Sequence, residues 1–184
     1  MGKAIPIFIT GEPNEIFDSV YGKRARDILK SDGDPYKNQL EALSAFSENR
    51  KIHNSVFVPL LERDSYVVSD RYYHSTFAFQ GAQGVPYERI AEDNRSVDIR
   101  VPDITFLLDV PVEVAVERRA GRKESLRKFE RDFSFDEKVR ENYLELSKIL
   151  PNLMADKSIV VIDGTDSPEE IFLQVKKAYE NRFR

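Results

Sequence analysis

Short apolar runs alternate with longer segments of helical periodicity along this chain. The runs cover residues 4–10, 66–68, 104–109 and 158–162, and turn-forming or polar residues follow each of them. Nearly continuous Val, Ile and Phe over such lengths predicts buried strands of a parallel sheet. Apolar residues three and four positions apart in the intervening segments predict helices. The alternation predicts an α/β fold, a doubly wound parallel sheet with helices on both faces.

Turn and capping residues predict where the helices of the first half begin and end. Helix is expected over residues 22–30, and the following turn ends at Asp34. Asp34 is expected to cap the next helix, with Pro35 at its first position. Pro59 is expected to kink or divide the helix that it lies in, because proline lacks the N–H that continues a helix.

The second half carries similar signals. Ser134 and Glu137 have the spacing of a capping box, and residues 167–170, Ser-Pro-Glu-Glu, predict the start of a final helix. Between the two, four positions at helical spacing are expected to face the core: Val139, Tyr143, Leu146 and Leu150.

Length and composition limit the function classes. The 184 residues and 21.3 kDa suit one domain, 1–184, and the net charge of −4 with a pI near 5.4 argues against nucleic acid as a partner. Because Cys is absent, disulfides and thiolate catalysis are excluded. No apolar run reaches the ~18 residues of a membrane span and no signal peptide is visible, so the expected location is the cytoplasm.

Chemistry-bearing side chains follow the strand at residues 66–68. Asp70 and Arg71 come just after it, and Ser75, Thr76 and Gln80 follow within about three helical turns. Ligands of open α/β sheets bind at the carboxyl ends of the strands, so this segment predicts an anion clamp beside hydrogen-bonding side chains. A surface salt bridge after a strand is the alternative.

A second candidate lies on the helix before that strand. Phe46 and Arg50 are four residues apart and therefore share a face. An aromatic ring with a planar donor at its edge suits a nucleobase, so Arg50 is expected to line a pocket and not the core. Phe46 alone would more simply be a core residue. Glu12 adds a carboxylate at the end of the first strand.

Taken together, these motifs resemble the thymidylate kinases, P-loop enzymes that transfer the γ-phosphoryl group of ATP to dTMP with Mg²⁺. The resemblance rests on Gly11-Glu12-Pro13 for the family's Arg-Glu-Pro, residues 22–29 with Arg26, Leu43 to Arg50 for Phe-x-x-x-Arg, residues 108–110 and 117–118 for its later strand and lid, and residues 70–81 for Asp-Arg-Tyr and Ser-x-x-Ala-Tyr-Gln-Gly. The last of these includes Tyr72 and Ser75.

The resemblance implies a role for each candidate residue. Phe46 would stack on thymine, Arg50 would hydrogen-bond its O4, and Thr76 and Gln80 would lie along the base edge. Phe79 stands where the family has a tyrosine beneath the deoxyribose, and its bulk would exclude a 2′-hydroxyl.

The phosphate side of the site follows from the same resemblance. Arg71 and Arg26 would hold the dTMP phosphate, while Asp70 and Glu12 would lie near the metal and the reacting oxygens. The basic segment 118–131 would form a lid, with Arg122 reaching ATP just after Gly121. A solvated helix face is the alternative for this segment. The family also implies a homodimer.

Two departures from the family pattern limit what the resemblance implies. Gly11 replaces the family arginine, and no Gly-x-x-x-x-Gly-Lys-Ser/Thr loop is present, so the first strand and the P-loop are expected to be absent from this chain and its own activity to be small. A non-catalytic dTMP-binding module is one alternative function. A deoxynucleoside kinase, which would prefer thymidine to dTMP, is another.

Overall fold

The computed structural model describes residues 7–11, 19–31, 34–63, 65–120 and 132–184. Strands and helices alternate along most of this part of the chain. In order, the elements are β1 (Ile7–Gly11), α1 (Val20–Lys30), α2 (Gln39–Leu61), β2 (Tyr66–Asp70), α3 (Tyr73–Ala82), α4 (Tyr87–Ser96), β3 (Thr105–Asp109), α5 (Val112–Ala120), α6 (Phe133–Leu153), β4 (Ile159–Asp163) and α7 (Pro168–Phe183).

The described strands form two parallel pairs. β1 pairs with β2, with Gly11 opposite Asp70 at the carboxyl end, and β3 pairs with β4, with Asp109 opposite Asp163. The α/β class with parallel strands and helices is therefore confirmed. Each observed strand overlaps a predicted run, although residues 4–6 lie outside the described part.

The prediction that β2 is a buried strand is wrong. Tyr66 and Val68 are 46% and 51% exposed, and only Val67 is partly buried among the core side chains. Among the described strands β2 pairs with β1 alone, so helix packing covers Val67 on one face while the alternate side chains point to the open face.

The prediction that Asp34 caps α2 is also wrong. The helix begins at Gln39 after Asn38, whose φ is +64°, whereas the Asp34 carboxylate accepts a hydrogen bond from the backbone N–H of Tyr36 at 2.9 Å. Asp34 therefore closes a turn instead of capping the helix. Pro59 does not divide α2 into two helices, because the helix continues for only two residues beyond it, to Leu61.

Of the two predicted capping boxes, the one at α6 does not form and the one at α7 does. Asp132 caps α6 by accepting from the N–H of Phe135 at 3.2 Å, and Ser134 donates to Asp132 at 2.9 Å, so the predicted box of Ser134 with Glu137 does not form. The hydroxyl of Ser134 and then the Phe135 N–H lower the pKa of Asp132. At α7 the capping box of Ser167 and Glu170 is present, as predicted.

The core lies between α2, α3, α4 and α6. Val139, Leu146 and Leu150 are buried and Tyr143 is partly buried, which confirms the predicted inner face of α6. α3 packs along this face, and α3 follows β2 after only Arg71 and Tyr72. The core therefore fixes the segment that follows the β2 strand end. Within the described residues, no helix has the length and apolar character needed to cross a membrane.

Candidate active site

The turn between β2 and α3 holds Arg71 in an unusual backbone conformation. Asp70 ends β2 and is exposed, and Arg71 has a φ of +65°, which a side chain with a Cβ adopts at a cost of about 1–2 kcal/mol. The hydroxyl of Ser69 donates to the Arg71 carbonyl at 2.6 Å, and Tyr72 packs edge-on to Phe57 in the core. These contacts hold the turn in its strained form.

This conformation places Arg71 over Phe79. The guanidinium carbon lies 5.7 Å from the centroid of the Phe79 ring, within the range of a cation–π contact. Phe79 is half-buried and lies 6.3 Å from the ring of Tyr143, edge to face. The structure thus brings together the cation that the family resemblance assigns to the phosphate and the aromatic ring that it assigns to the sugar of one nucleotide.

Helix α6 also fixes Ser75. The Tyr143 hydroxyl donates to the Ser75 Oγ at 2.7 Å, so one tyrosine contacts both Ser75 and Phe79. The Ser75 side chain is half-buried at the α3–α6 interface. Both residues are therefore positioned by a helix far along the chain.

Arg50 lies in the interior, contrary to the expectation that it would be separate from the core. Its side chain is 0% exposed; one guanidinium nitrogen donates to Asn94 Oδ1 at 2.9 Å and another donates to Thr76 Oγ1. These partners belong to α4 and α3, so Arg50 links three helices. A buried guanidinium requires such hydrogen bonds because an isolated charge in the interior is costly.

Gln80 belongs with Arg50 and Thr76 to a buried polar band, defined by these three residues. It lies four residues after Thr76, on the same face, and its side-chain nitrogen donates to Gln83 Oε1 at 3.1 Å. Within the described residues its own Oε1 is buried and accepts no hydrogen bond. Leaving such an atom without a hydrogen bond costs free energy, so the band offers an acceptor for a hydrogen-bond donor of a ligand.

The two remaining predicted residues of the first half lie on α1 and α2. Phe46 is half-buried and packs against a small cluster of alanines and Ile28 that joins α1 to α2. Arg26 is half-buried on α1. Phe46 thus contributes to packing, and it shares a face of α2 with Arg50.

Some predicted residues lie outside the described part of the chain, namely Glu12, Arg122 and the lid beyond Ala120. The described beginning of the basic segment is held in place. Arg118 donates to the Gly164 carbonyl at 2.8 Å, and Arg119 forms an ion pair with Asp136 of α6.

Aspartates end three of the described strands. Asp109 accepts two hydrogen bonds from Arg140, at 2.7 and 2.8 Å, and this contact raises the pKa of Arg140. Asp163 accepts from the hydroxyl and the N–H of Thr165, which lower the pKa of Asp163. Within the described residues, Asp70 is the strand-end aspartate whose carboxylate has no such partner.

Asp70 fits the chemistry of a magnesium ligand. Mg²⁺ prefers oxygen ligands and is commonly held by one or two carboxylates together with waters and substrate phosphates. The described residues contain no cluster of three or more potential metal ligands.

Sequence reasoning did not single out Asn94 or Gln83, and it assigned Tyr143 to the core without its contacts to Ser75 and Phe79. Asn94 follows Ile90 and Ala91 at helical spacing, and all three are buried on α4. An asparagine within an apolar stripe was therefore an available signal. Gln83 donates to the backbone carbonyls of Pro35 and Lys37, a contact between distant segments that no local pattern could indicate.

Known proteins resemble this chain along almost its whole length. The thymidylate kinase family profile matches residues 2–175. A thymidylate kinase from Carboxydothermus hydrogenoformans is 32% identical over 179 residues, covering 95% of this chain and 82% of that protein. A probable thymidylate kinase from Thermococcus kodakarensis is 35% identical over 177 residues, covering 92% of this chain and 80% of that protein.

A solved structure agrees with these relatives. The crystal structure of thymidylate kinase from Ehrlichia chaffeensis matches with a TM-score of 0.68 at 26% identity, covering 95% of this chain and 80% of that chain. The chain therefore belongs to the thymidylate kinase family, the ATP- and Mg²⁺-dependent kinases that phosphorylate dTMP.

Proposed function

We propose that dTMP binds along α3, with its thymine at the Arg50–Thr76–Gln80 band and its phosphate at Arg71. The observation that carries this proposal is the buried, unsatisfied Oε1 of Gln80 in the same helical face as Thr76, the partner of Arg50. Phe79, which directly precedes Gln80 on α3, lies under the Arg71 guanidinium and is the candidate contact for the sugar.

The donors and acceptors of the band suit thymine. Arg50 can only donate, and O4 of thymine accepts; the free Oε1 of Gln80 accepts, and N3 of thymine donates. Cytosine presents an amino donor in place of O4 and an acceptor at N3. It would therefore place a donor against the Arg50 guanidinium and an acceptor against Gln80 Oε1. The band would therefore discriminate against dCMP by leaving buried polar groups unpaired.

The phosphate end supplies charge for phosphoryl transfer. Arg71, aided by Arg26 and by Arg122 outside the described residues, would neutralise phosphate oxygens, and Asp70 with Glu12 would hold Mg²⁺ and orient the reacting oxygens. Phosphoryl transfer depends mainly on such positioning and charge neutralisation. Residues 1–184 contain no Gly-x-x-x-x-Gly-Lys-Ser/Thr motif, so these roles concern dTMP and the reacting phosphate alone.

Calorimetric titration of the 184-residue protein with dTMP, dCMP, AMP and thymidine tests the proposal. We expect dTMP to bind at least about tenfold more tightly than the other three, since each lacks either the matching base edge or the phosphate. Equal affinity for dTMP and dCMP would refute the assignment of the base site. Preference for thymidine would favour a deoxynucleoside kinase.

Phe79→Ala should relax the selection against ribose. Removing the ring beneath the sugar makes room for a 2′-hydroxyl, so we expect the preference for dTMP over 5-methyluridine monophosphate to fall by about tenfold. The measurement is the ratio of the two dissociation constants. Phe172→Ala, at an exposed position of α7, is the matched control and should leave the ratio unchanged. An unchanged ratio in Phe79→Ala would place the sugar elsewhere.

We also propose that the protein is a cytoplasmic homodimer. The support is the family resemblance and an open groove of about 600 Å³ between α2 and α4, where Leu40 is 62% exposed. Sedimentation equilibrium should give twice the 21.3 kDa chain mass, and Leu40→Glu should lower it toward the monomer. A monomeric wild-type protein would refute the dimer.

A further inference from the structure

A buried carboxylate outside the nucleotide site clamps the first turn of α3. Asp156, in the turn between α6 and β4, accepts a hydrogen bond from the Tyr73 hydroxyl at 2.5 Å, and its same oxygen lies 2.8 Å from His74 Nε2. Asp156 is 1% exposed, and Tyr73 and His74 are buried as well. The rings of Tyr73 and His74 stack with centroids 4.2 Å apart.

The turn that carries Asp156 is itself fixed. The other carboxylate oxygen accepts from the N–H of Ser158 at 2.8 Å, and the N–H of Asp156 donates to the Leu150 carbonyl at 3.2 Å. Ala155, the preceding residue, has a φ of +54°. Such a backbone persists only where the surroundings determine it, so the turn is shaped to place this carboxylate in the core.

The electrostatics of the cluster agree with an ionised carboxylate. Burial acts to raise the pKa of Asp156, but the hydrogen bonds from His74, Tyr73 and Ser158 outweigh it and hold that pKa well below its usual range. Burial first, and then the hydrogen bond to Asp156, raise the pKa of Tyr73, which therefore keeps its proton and donates it.

The clamped turn adjoins the strained residue of the site. Tyr73 and His74 directly follow Tyr72, and Arg71 precedes it with its φ of +65°. A strained backbone needs fixed anchors on both sides. The hydrogen bond from Ser69 to the Arg71 carbonyl anchors the strand side, and the two contacts of Asp156 anchor the helix side.

We propose that Asp156 is a positioning residue for phosphate binding. By fixing Tyr73 and His74 it holds Arg71 in the left-handed conformation in which its guanidinium covers Phe79. This inference rests on the proposed binding of the dTMP phosphate by Arg71. It predicts that a change at Asp156 acts on phosphate recognition without touching the ligand.

The test compares dTMP with thymidine, which lacks the phosphate. In Asp156→Asn, calorimetry should show affinity for dTMP about tenfold lower, with affinity for thymidine changed less than about twofold. The same substitution in an Arg71→Ala background should cause no further loss for dTMP, because the residue through which Asp156 acts is gone. Asp103→Asn, at an exposed position, is the matched control and should change neither affinity.

If Asp156→Asn does not fold, Tyr73→Phe provides the test, because this variant removes only the hydrogen bond to Asp156 and preserves the ring. It should weaken dTMP binding by about threefold and leave thymidine binding unchanged. Three outcomes overturn the inference: unchanged dTMP affinity in the folded variants, equal losses for dTMP and thymidine, or full additivity with Arg71→Ala. A wild-type protein that binds thymidine but gains nothing from the phosphate would instead refute the proposed role of Arg71, and this inference with it.

Discussion

Arg50→Ala should reduce both the affinity for dTMP and the stability of the protein. In the proposed binding mode, the substitution removes a charge-assisted hydrogen bond to thymine O4, worth about 1.5–3 kcal/mol, so the dissociation constant should rise about tenfold to a hundredfold. It also leaves the buried side chains of Asn94 and Thr76 without the guanidinium donor that they contact in the unliganded protein. Each unsatisfied group costs about 1–3 kcal/mol.

Thermal unfolding should therefore show a clear effect of Arg50→Ala. At about 2–4 °C for each kcal/mol in a chain of this size, the melting temperature should fall by about 5–15 °C. Arg100→Ala, at an exposed position, is the matched control and should change neither quantity. A lower melting temperature with unchanged dTMP affinity in the folded fraction would make Arg50 a purely structural residue.

Arg71→Ala should abolish most of the advantage of dTMP over thymidine. Arg71 is exposed just after β2, so its loss would remove the proposed phosphate contact without opening the core. We expect dTMP affinity to fall about tenfold to a hundredfold, with thymidine affinity nearly unchanged. Titration with both ligands gives the comparison directly.

Arg71→Gly provides an informative companion. Glycine adopts a φ of +65° without the steric cost that a Cβ brings, so this variant should be at least as stable as the wild type. It should nevertheless lose dTMP affinity as severely as Arg71→Ala. If both variants kept full affinity for dTMP, the phosphate would lie away from this turn.

The sequence predicted features that depend on a few adjacent residues. The cap at Ser167 and the inner face of α6 follow from local spacing, and both appear in the structure. Asp70 at the end of β2 followed in the same way from an apolar run and its boundary. Phe79 and Arg71 were both proposed as site residues from the sequence, but their contact depends on the positive φ of Arg71, which the sequence does not indicate.

Features that depend on distant contacts were not predictable. Arg50 is buried because Asn94, 44 residues later, accepts from it, and its four-residue spacing from Phe46 gave no indication of that partner. Tyr73 and Asp156 are separated by 83 residues. Even the local prediction that Asp34 caps α2 failed, because the Asp34 carboxylate accepts from the N–H of Tyr36 in a turn and the helix begins after Asn38.

The most direct test of the whole account is phosphoryl transfer from ATP, in the presence of Mg²⁺, to different nucleoside monophosphates, measured with the protein as expressed in its native cell. The acceptors dTMP, dUMP, dCMP and AMP should be compared at concentrations well below saturation, so that initial rates report kcat/KM. We expect dTMP to react at least about tenfold faster than dCMP, whose base edge opposes Arg50 and Gln80, and than AMP, which carries a purine. dUMP shares O4, N3–H, deoxyribose and phosphate with dTMP and differs only by the 5-methyl group, so its rate should be closer to that of dTMP. Equal rates for dTMP and dCMP, or transfer to AMP at the same rate, would contradict the account.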